Sequence, residues 1–528
     1  MPPNIIFILA DDLGWDDVSF HGSPQIPTPN LDVLAADGII LNNYYVQPLC
    51  TPSRAALMSG FYPIHTGMES SVILTGEPWG LPLSFKLMPQ YLKDLGYQTH
   101  MIGKWHLGYY TEQYVPTSRG YDTFYGYYNG EEDYYNHTLP VPQFLTNNSQ
   151  VGLDFWLNNE PLRNETDRYS TTLFGEQAIR LIKERDPSKP FFLSLCYQAP
   201  HGGAPIELQA PSENVDKFPY IGEKNRTIYA GMVDALDQSV GDVLEVLQQE
   251  RMLENSVIVF SSDNGGLPWG LHASRGFNWP LRGAKGTLWE GATRAAAFLW
   301  SPLVTRNRRV SHQLMHIVDW LPTLYRAAGG DPSKMKRLDG HDMWLQLCAD
   351  LPSPRVELLY NIDPRGRHGG TALPRLQAGA GRLGRRTLRP ALPDARQLSA
   401  LRGPGPPHGR VEGGASAAGL LQHGRVPLSQ PVAREGHTHL RPAGELQLRG
   451  RRPTLPVRPV QGSLRDAQPG TRQPSAAVRA HSEARELRNH IGGATQQARR
   501  PEVLPAVPQR HLGALGERRL HIDCAAQF

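Results

Sequence analysis

From Asn4 to about Leu345 the chain alternates short apolar runs with helical patterns. Such alternation implies an α/β domain built on a largely parallel sheet. Ile5–Ala10 predicts a buried strand. Thr28 and Pro29 then read as N-cap and first helical residue, with Leu31, Leu34 and Ala35 on one face and Gly38 as the stop. Ile39–Leu41 predicts a second strand. Thr51-Pro52 repeats the capping pattern and opens a helix through Ala55, Ala56 and Leu57 to Gly60, which places Cys50 immediately before a helix N-terminus. Further helices are predicted at Leu87–Leu95, Thr171–Lys183, Arg226–Gln249 and Leu314–Ala328. Further strands are predicted at Thr99–Ile102, Phe191–Cys196, Ser256–Phe260 and Ala295–Leu299.

The pattern stops at Asn361-Ile362-Asp363-Pro364, which divides the chain into residues 1–364 and 365–528. The second part holds 27 Arg, no Lys, 22 Gly and 17 Pro, and its one Phe is the last residue. Ordinary globular segments are not composed this way. Only 10 Asp and Glu accompany those arginines, so this part carries +17 and residues 1–364 carry −13 of the net +4. The part that holds every Trp and Tyr is therefore acidic, and no nucleic-acid partner is expected. Residues 365–528 read as a disordered Arg/Pro/Gly/Ala-rich extension or as a shifted reading frame, because a GC-rich coding region yields those residues when misread. The abrupt onset without a linker favours the frameshift.

The longest apolar runs, Ile5–Ala10 and Ala295–Trp300, are far short of the roughly 20 residues that span a bilayer, so no membrane span is expected. Cys50, Cys196, Cys348 and Cys524 are too few for a disulfide framework. The opening Met1-Pro2-Pro3-Asn4 runs straight into a strand, with no leader in this chain. Four N-x-Ser/Thr sequons, at Asn136, Asn147, Asn164 and Asn225, nevertheless fit a secreted or luminal glycoprotein.

Two strand ends carry acids. Asp11-Asp12 follows the first strand, and Asp263-Asn264-Gly265-Gly266 follows the run from Ser256 to Ser262. Ligands of open α/β sheets gather at carboxyl ends of strands, and three carboxylates with one amide make a hard oxygen set suited to Ca²⁺ or Mg²⁺. Cys50-Thr51-Pro52-Ser53-Arg54 places a thiol at a helix start beside a fixed cation, a position that favours a thiolate or an oxyanion.

This C-x-P-x-R motif, continued by Leu57, Ser59 and Gly60 and followed by Gly103-Lys104-Trp105-His106-Leu107-Gly108, resembles the type I sulfatases. The resemblance runs from about Asn4 to Pro364. Within the family, Asp12-Leu13-Gly14-Trp15 and Leu359-Tyr360-Asn361-Ile362-Asp363-Pro364 are most similar to the arylsulfatase branch that removes 4-sulfate from N-acetylgalactosamine.

The resemblance implies an alkaline phosphatase-like fold with a smaller C-terminal α+β domain, which residues 365–528 lack or carry out of frame. It implies that a formylglycine-generating enzyme converts Cys50 to formylglycine in the endoplasmic reticulum. Asp11, Asp12, Asp263, Asn264 and residue 50 would then hold one calcium ion, with magnesium as the alternative. Arg54 would orient the hydrated aldehyde, Lys104 would hold it and the sulfate, and His106 would act as base. His201 in Gln198-Ala199-Pro200-His201, or Lys285 in the glycine-spaced Arg282–Gly291 loop, would protonate the leaving alcohol. The substrate implied is a glycosaminoglycan-type sulfated carbohydrate or an aryl sulfate, in a lysosomal or secreted enzyme. Two rival readings stand beside it. One is an inactive, truncated relative that binds sulfated glycans; the other is a phosphoesterase of the same superfamily, against which Cys50, Pro52 and Arg54 argue.

Overall fold

The computed structural model describes residues 1–141, 150–270, 273–335, 337–363 and 368–372. A ten-stranded mixed sheet runs through it in the order Arg309–Ser311, Ile39–Leu41, Ala297–Trp300, Ser256–Ser262, Asn4–Ala10, Phe191–Cys196, Gln98–Lys104, Thr123–Tyr127, Trp156–Leu157 and Glu160–Pro161. The five strands from Ser256–Ser262 to Thr123–Tyr127 are mutually parallel. Antiparallel pairings enter on either side of them.

Strand Asn4–Ala10 shows why the central runs are apolar without alternation. Side chains alternate faces along a strand, and here both faces are covered. Ile5, Phe7 and Leu9 join one core with Ala55, Leu57 and Met58 of helix Cys50–Ser59 and with Trp320, Leu321 and Leu324 of helix Trp320–Ala327. Ile6, Ile8 and Ala10 join the other core, with Leu173, Phe174 and Ile182 of helix Ser170–Glu184 and Tyr229, Val233 and Leu236 of helix Lys224–Gln249. Each Ile, Leu, Val, Phe or Met side chain so buried contributes about 1.5–3 kcal/mol. The layers are thus helix, sheet, helix.

Caps set several helix starts. Glu223 accepts from the backbone N–H groups of Asn225 and Arg226 at the head of the long helix. Helix Pro29–Asp37 begins on the expected proline, but its free N–H groups are met from a distance: Asp237 accepts from Asn30 at 3.2 Å and from Leu31 at 2.9 Å.

Some expectations shift. The helix expected over Leu314–Ala328 is divided into strand Met315–His316, a single 3-10 turn Ile317–Asp319 and helix Trp320–Ala327. Met315 and His316 pair with Tyr44 and Tyr45, and Asp319 accepts from the His316 N–H at 2.8 Å, so sheet pairing and a cap override local periodicity. The strand expected at Ala295–Leu299 begins at Ala297, after a short helix at Glu290–Thr293. Cys50 is the first residue inside its helix, with Leu49 at the N-cap, rather than the residue preceding it.

One strand lies past the Pro364 boundary: His368–Ala372 pairs antiparallel with Leu358–Asp363. The readings made for the rest of residues 365–528, for the second domain and for the sequon at Asn147 fall outside the described residues. Asn136 and Asn164 are exposed, while Asn225 is half-buried in the first turn of its helix, with the Thr227 hydroxyl donating to Glu223 O at 2.8 Å. No described helix is long and apolar enough to cross a membrane.

Candidate active site

The central strands bring the acids together. Ala10 lies opposite Ser262 in the parallel register, so Asp11-Asp12 and Asp263-Asn264 leave the sheet side by side. The Asp263 N–H donates to Ala10 O at 3.0 Å, and Asn264 Nδ2 donates to Asp12 Oδ1 at 2.6 Å. Asp12 turns the chain at φ +59°, a left-handed conformation that Asp tolerates better than most residues. All four side chains are buried.

Cys50 approaches from the helix start, and its Sγ donates to Asp11 Oδ1 at 3.5 Å. Three cations surround this pair. Lys104, at the end of strand Gln98–Lys104, ion-pairs with Asp11 Oδ2. Arg54, one helical turn after Cys50, places Nε at 3.0 Å and Nη2 at 2.9 Å from Asp263 Oδ2, and its Nη1 donates to Lys104 O at 2.9 Å. Lys285 Nζ reaches Asp12 Oδ1 at 2.6 Å. Its loop is tied down by hydrogen bonds from Lys285 N to Gly266 O and from Gly286 N to Pro48 O. Three carboxylates therefore face three fixed cations one for one.

This arrangement sets the ionisation of the site. Burial opposes charge on Asp11, but Lys104, His201, Arg54 and Lys285 override it and hold the carboxyl well below the usual carboxylate range. Burial and the like charge of Asp11 push Asp263 up to about 7, against Arg54 and Lys104. Burial likewise pushes the Cys50 thiol up to about 12, with Asp11 adding to it. The expected thiolate is thus corrected: desolvation and a neighbouring carboxylate outweigh the helix terminus and the nearby lysines.

The two histidines differ. His106 Nε2 lies 2.9 Å from Ile73 O, and a carbonyl can only accept, so the neutral ring carries its proton on Nε2 and leaves Nδ1 bare. Nδ1 is buried with no hydrogen-bond partner, and burial and then Lys104 hold the ring neutral, well below its usual range. Gly130 lets this ring fit, since a Cβ there would stand 2.8 Å from His106 Cε1. His201 Nδ1 is 2.5 Å from Gly202 O, which turns a bare Nε2 toward Asp12 Oδ2 at 3.7 Å.

That last contact bears on a metal. Two acceptors, His201 Nε2 and Asp12 Oδ2, face each other, and both Asp12 Oδ2 and Asn264 Oδ1 are buried without a hydrogen-bond partner. Ligand atoms of Asp11, Asp12, Cys50 and His201 lie within 4.8 Å of one another. Orphaned oxygens and converging carboxylates fit a hard divalent cation. A divalent ion added to a balanced set of charges would also leave the site at +2, ready for an anion.

All ten expected catalytic and metal-binding positions fall in this neighbourhood, but several of the contacts there had no signal in the sequence. His201 stands among the ligand-type atoms rather than apart from them, while Asp263 faces Arg54. Thr51 reads from sequence as a capping residue, yet its hydroxyl donates to His106 O at 3.1 Å and accepts from Ile73 N at 3.2 Å, clasping the segment of His106 to the helix start that carries Cys50. Glu131 Oε2 lies 3.9 Å from His201 Nδ1, a contact that arises only from folding.

The sulfatase family model matches residues 3–330. Arylsulfatase J of Mus musculus is 45% identical over 363 residues, which are 69% of this chain and 58% of that protein. N-acetylgalactosamine-6-sulfatase of Homo sapiens is 34% identical over 349 residues, 64% of each chain. The chain thus spans about three fifths of the length of these two relatives. Among solved structures, Ps i-CgsB in complex with k-i-k-neocarrahexaose aligns with a TM-score of 0.61 at 33% identity, over 69% of this chain and 80% of that one. PsFucS1 sulfatase from Pseudoalteromonas sp. aligns with a TM-score of 0.57 at 26% identity, over 71% and 77%.

Proposed function

We propose, since this chain belongs to the sulfatase family, that it hydrolyses sulfate monoesters, with position 50 as the nucleophile once Cys50 has become formylglycine. One observation carries the reading: the Cys50 side chain sits at a helix start against Asp11, ringed by Lys104, Arg54 and Lys285. A sulfate monoester spreads negative charge over its oxygens, and preset cations stabilise that charge without reorganising during reaction. The raised thiol pKa fits the same reading, because a neutral buried thiol is a poor nucleophile and the modified residue would supply a better one.

In this reading one hydroxyl of the hydrated aldehyde gives its proton to solvent and attacks sulfur as the alkoxide, forming the bond from residue 50 to sulfur as the bond from sulfur to the substrate alcohol breaks. The alcohol leaves with a proton from Lys285, or from His201 when its Nε2 has taken up a second proton, and sulfate stays on residue 50. His106 then takes the proton of the second hydroxyl, the aldehyde reforms, and the bond from residue 50 to sulfate breaks. The bare Nδ1 and neutral ring of His106 suit that base role. Arg54 orients residue 50, and Lys104 holds both it and the sulfate. Asp11, Asp12, Asp263 and Asn264, with residue 50, would hold a calcium or magnesium ion, which when bound acidifies a hydroxyl and polarises a sulfate oxygen.

The substrate class that fits is a glycosaminoglycan-type galactosamine sulfate, with 4-sulfate favoured by the motif resemblance; the human relative named above is a 6-sulfatase. Maturation by a formylglycine-generating enzyme would require passage through the secretory pathway, consistent with exposed sequons at Asn136 and Asn164 and with a lysosomal or secreted destination. The test is sulfate release from p-nitrocatechol sulfate by the full chain expressed through the secretory pathway. Turnover by wild type, and none by Cys50→Ala, is expected. Turnover by Cys50→Ala equal to wild type would sink the reading.

A further inference from the structure

Of the chain's ten tryptophans, two are exposed: Trp279 at 63% and Trp289 at 48%. Both lie on the loop that carries Lys285, six residues before it and four after. Large aromatic side chains left in water at the edge of a site mark surfaces that a partner covers.

The loop holds these groups in fixed places. Asn278 Nδ2 donates to Gly266 O at 2.9 Å and to Gly283 O at 3.2 Å, and Gly291 N donates to Arg282 O at 2.8 Å. Gly286 N donates to Pro48 O, two residues before Cys50, at 2.8 Å. The exposed Arg282 lays its guanidinium 3.9 Å from the Trp289 ring centroid. Gly283 permits this at φ +94°, because a Cβ there would fall 2.4 Å from Trp289 Cβ. Arg282 and Trp289 stand three and four residues from Lys285, hence within about 14 Å of it even at full extension.

We infer that Arg282 and Trp289 form a subsite for the sugar next to the sulfated one in an anionic saccharide. An indole surface packs against the apolar C–H face of a pyranose, and its cation–π contact prepositions a guanidinium for bidentate bonding to the neighbour's sulfate or carboxylate. The inference rests on the proposed action on sulfated saccharides and adds which part of the chain reads beyond the sulfated residue.

Titration calorimetry on the full chain separates the two. The probes are a chondroitin 4-sulfate tetrasaccharide and N-acetylgalactosamine 4-sulfate. Arg282→Ala and Trp289→Ala are each expected to weaken the tetrasaccharide about tenfold and the monosaccharide less than twofold, with Arg282→Lys and Trp289→Phe restoring part of the loss. Equal weakening of both probes, no change in either, or no tetrasaccharide binding by wild type overturns the subsite. A change of oligomeric state in Trp289→Ala with saccharide affinity intact also overturns it, because the ring would then belong to an interface between copies. If wild type binds the tetrasaccharide in the expected Trp289-dependent way but releases no sulfate, the subsite stands and the hydrolytic reading falls. If sulfate is released while the variants bind like wild type, the reverse holds.

Discussion

Arg54 and Asp263 are locked together at the centre of the molecule, with Nε and Nη2 at 3.0 and 2.9 Å from one carboxylate oxygen and neither side chain exposed beyond 3%. The pair joins the helix that carries Cys50 to the strand end that carries the acids. It therefore sets the distance between Cys50 and the strand-end acids as well as neutralising two buried charges.

Breaking this pair by removing one partner leaves the other charge buried and unmatched. Arg54→Ala is expected to destabilise the fold by about 3–5 kcal/mol, measured by urea denaturation. A loss below about 1 kcal/mol would show that water or Lys104 takes over the partner's place.

Cys50→Ala, in contrast, removes one sulfur that, among the described residues, donates a single long hydrogen bond, at 3.5 Å, to Asp11, itself held by Lys104 and Arg54. Loss of sulfate release with a stability change of about 1 kcal/mol is expected. The two readouts together distinguish a chemical role from a packing role.

A chelator should abolish turnover and lower the melting temperature, and calcium should restore both. At a hundredfold excess over its dissociation constant the ion would contribute about 2.7 kcal/mol to stability. Asp12→Asn should remove that calcium-dependent rise in melting temperature. An unchanged melting temperature on chelation of wild type would count against a resident ion.

Asp237 caps helix Pro29–Asp37 from beneath, and burial pushes its carboxyl up to about 6, against the lowering effect of the Leu31 and Asn30 bonds. A carboxyl raised in the folded state favours its neutral form there. Its contribution is fully present below the unfolded value near 4 and is lost as pH rises through about 6. Wild type should therefore lose up to about 3 kcal/mol between pH 4 and 7 relative to Asp237→Asn, which cannot ionise. A difference between the two proteins that is flat across this window would refute the assignment.

Of the three described sequons, Asn136 and Asn164 are exposed and Asn225 lies half-buried in the first turn of a helix with its threonine hydroxyl engaged. Secreted protein should carry glycans at the first two and little at the third. Peptide mass spectrometry before and after glycosidase treatment checks this, and full occupancy at Asn225 would contradict it.

Much of the architecture was legible because buried parallel strands write themselves as unbroken apolar runs. Asn4–Ala10, Phe191–Cys196 and Ser256–Ser262 lie close to where those runs place them. The Pro29 and Gly38 helix limits were legible for a similar reason, since proline and glycine act through their own backbone restrictions. The stretch after Leu314 was not, because its apolar spacing suits a helix while Tyr44 and Tyr45, far away in the chain, supply strand partners.

At the site, residue types and motif spacing by themselves determined the strand-end acids and the cysteine at a helix start beside Arg54, while the lysines and the histidines entered through the resemblance to the sulfatases. Only the tertiary structure decided how these act on one another. The register that sets Ala10 against Ser262 makes neighbours of Asp12 and Asn264, and that crowding of charge in a dry interior raises the Cys50 thiol instead of lowering it. Ionisation depends on distances and burial, and those exist only after residues far apart in the chain have been packed together.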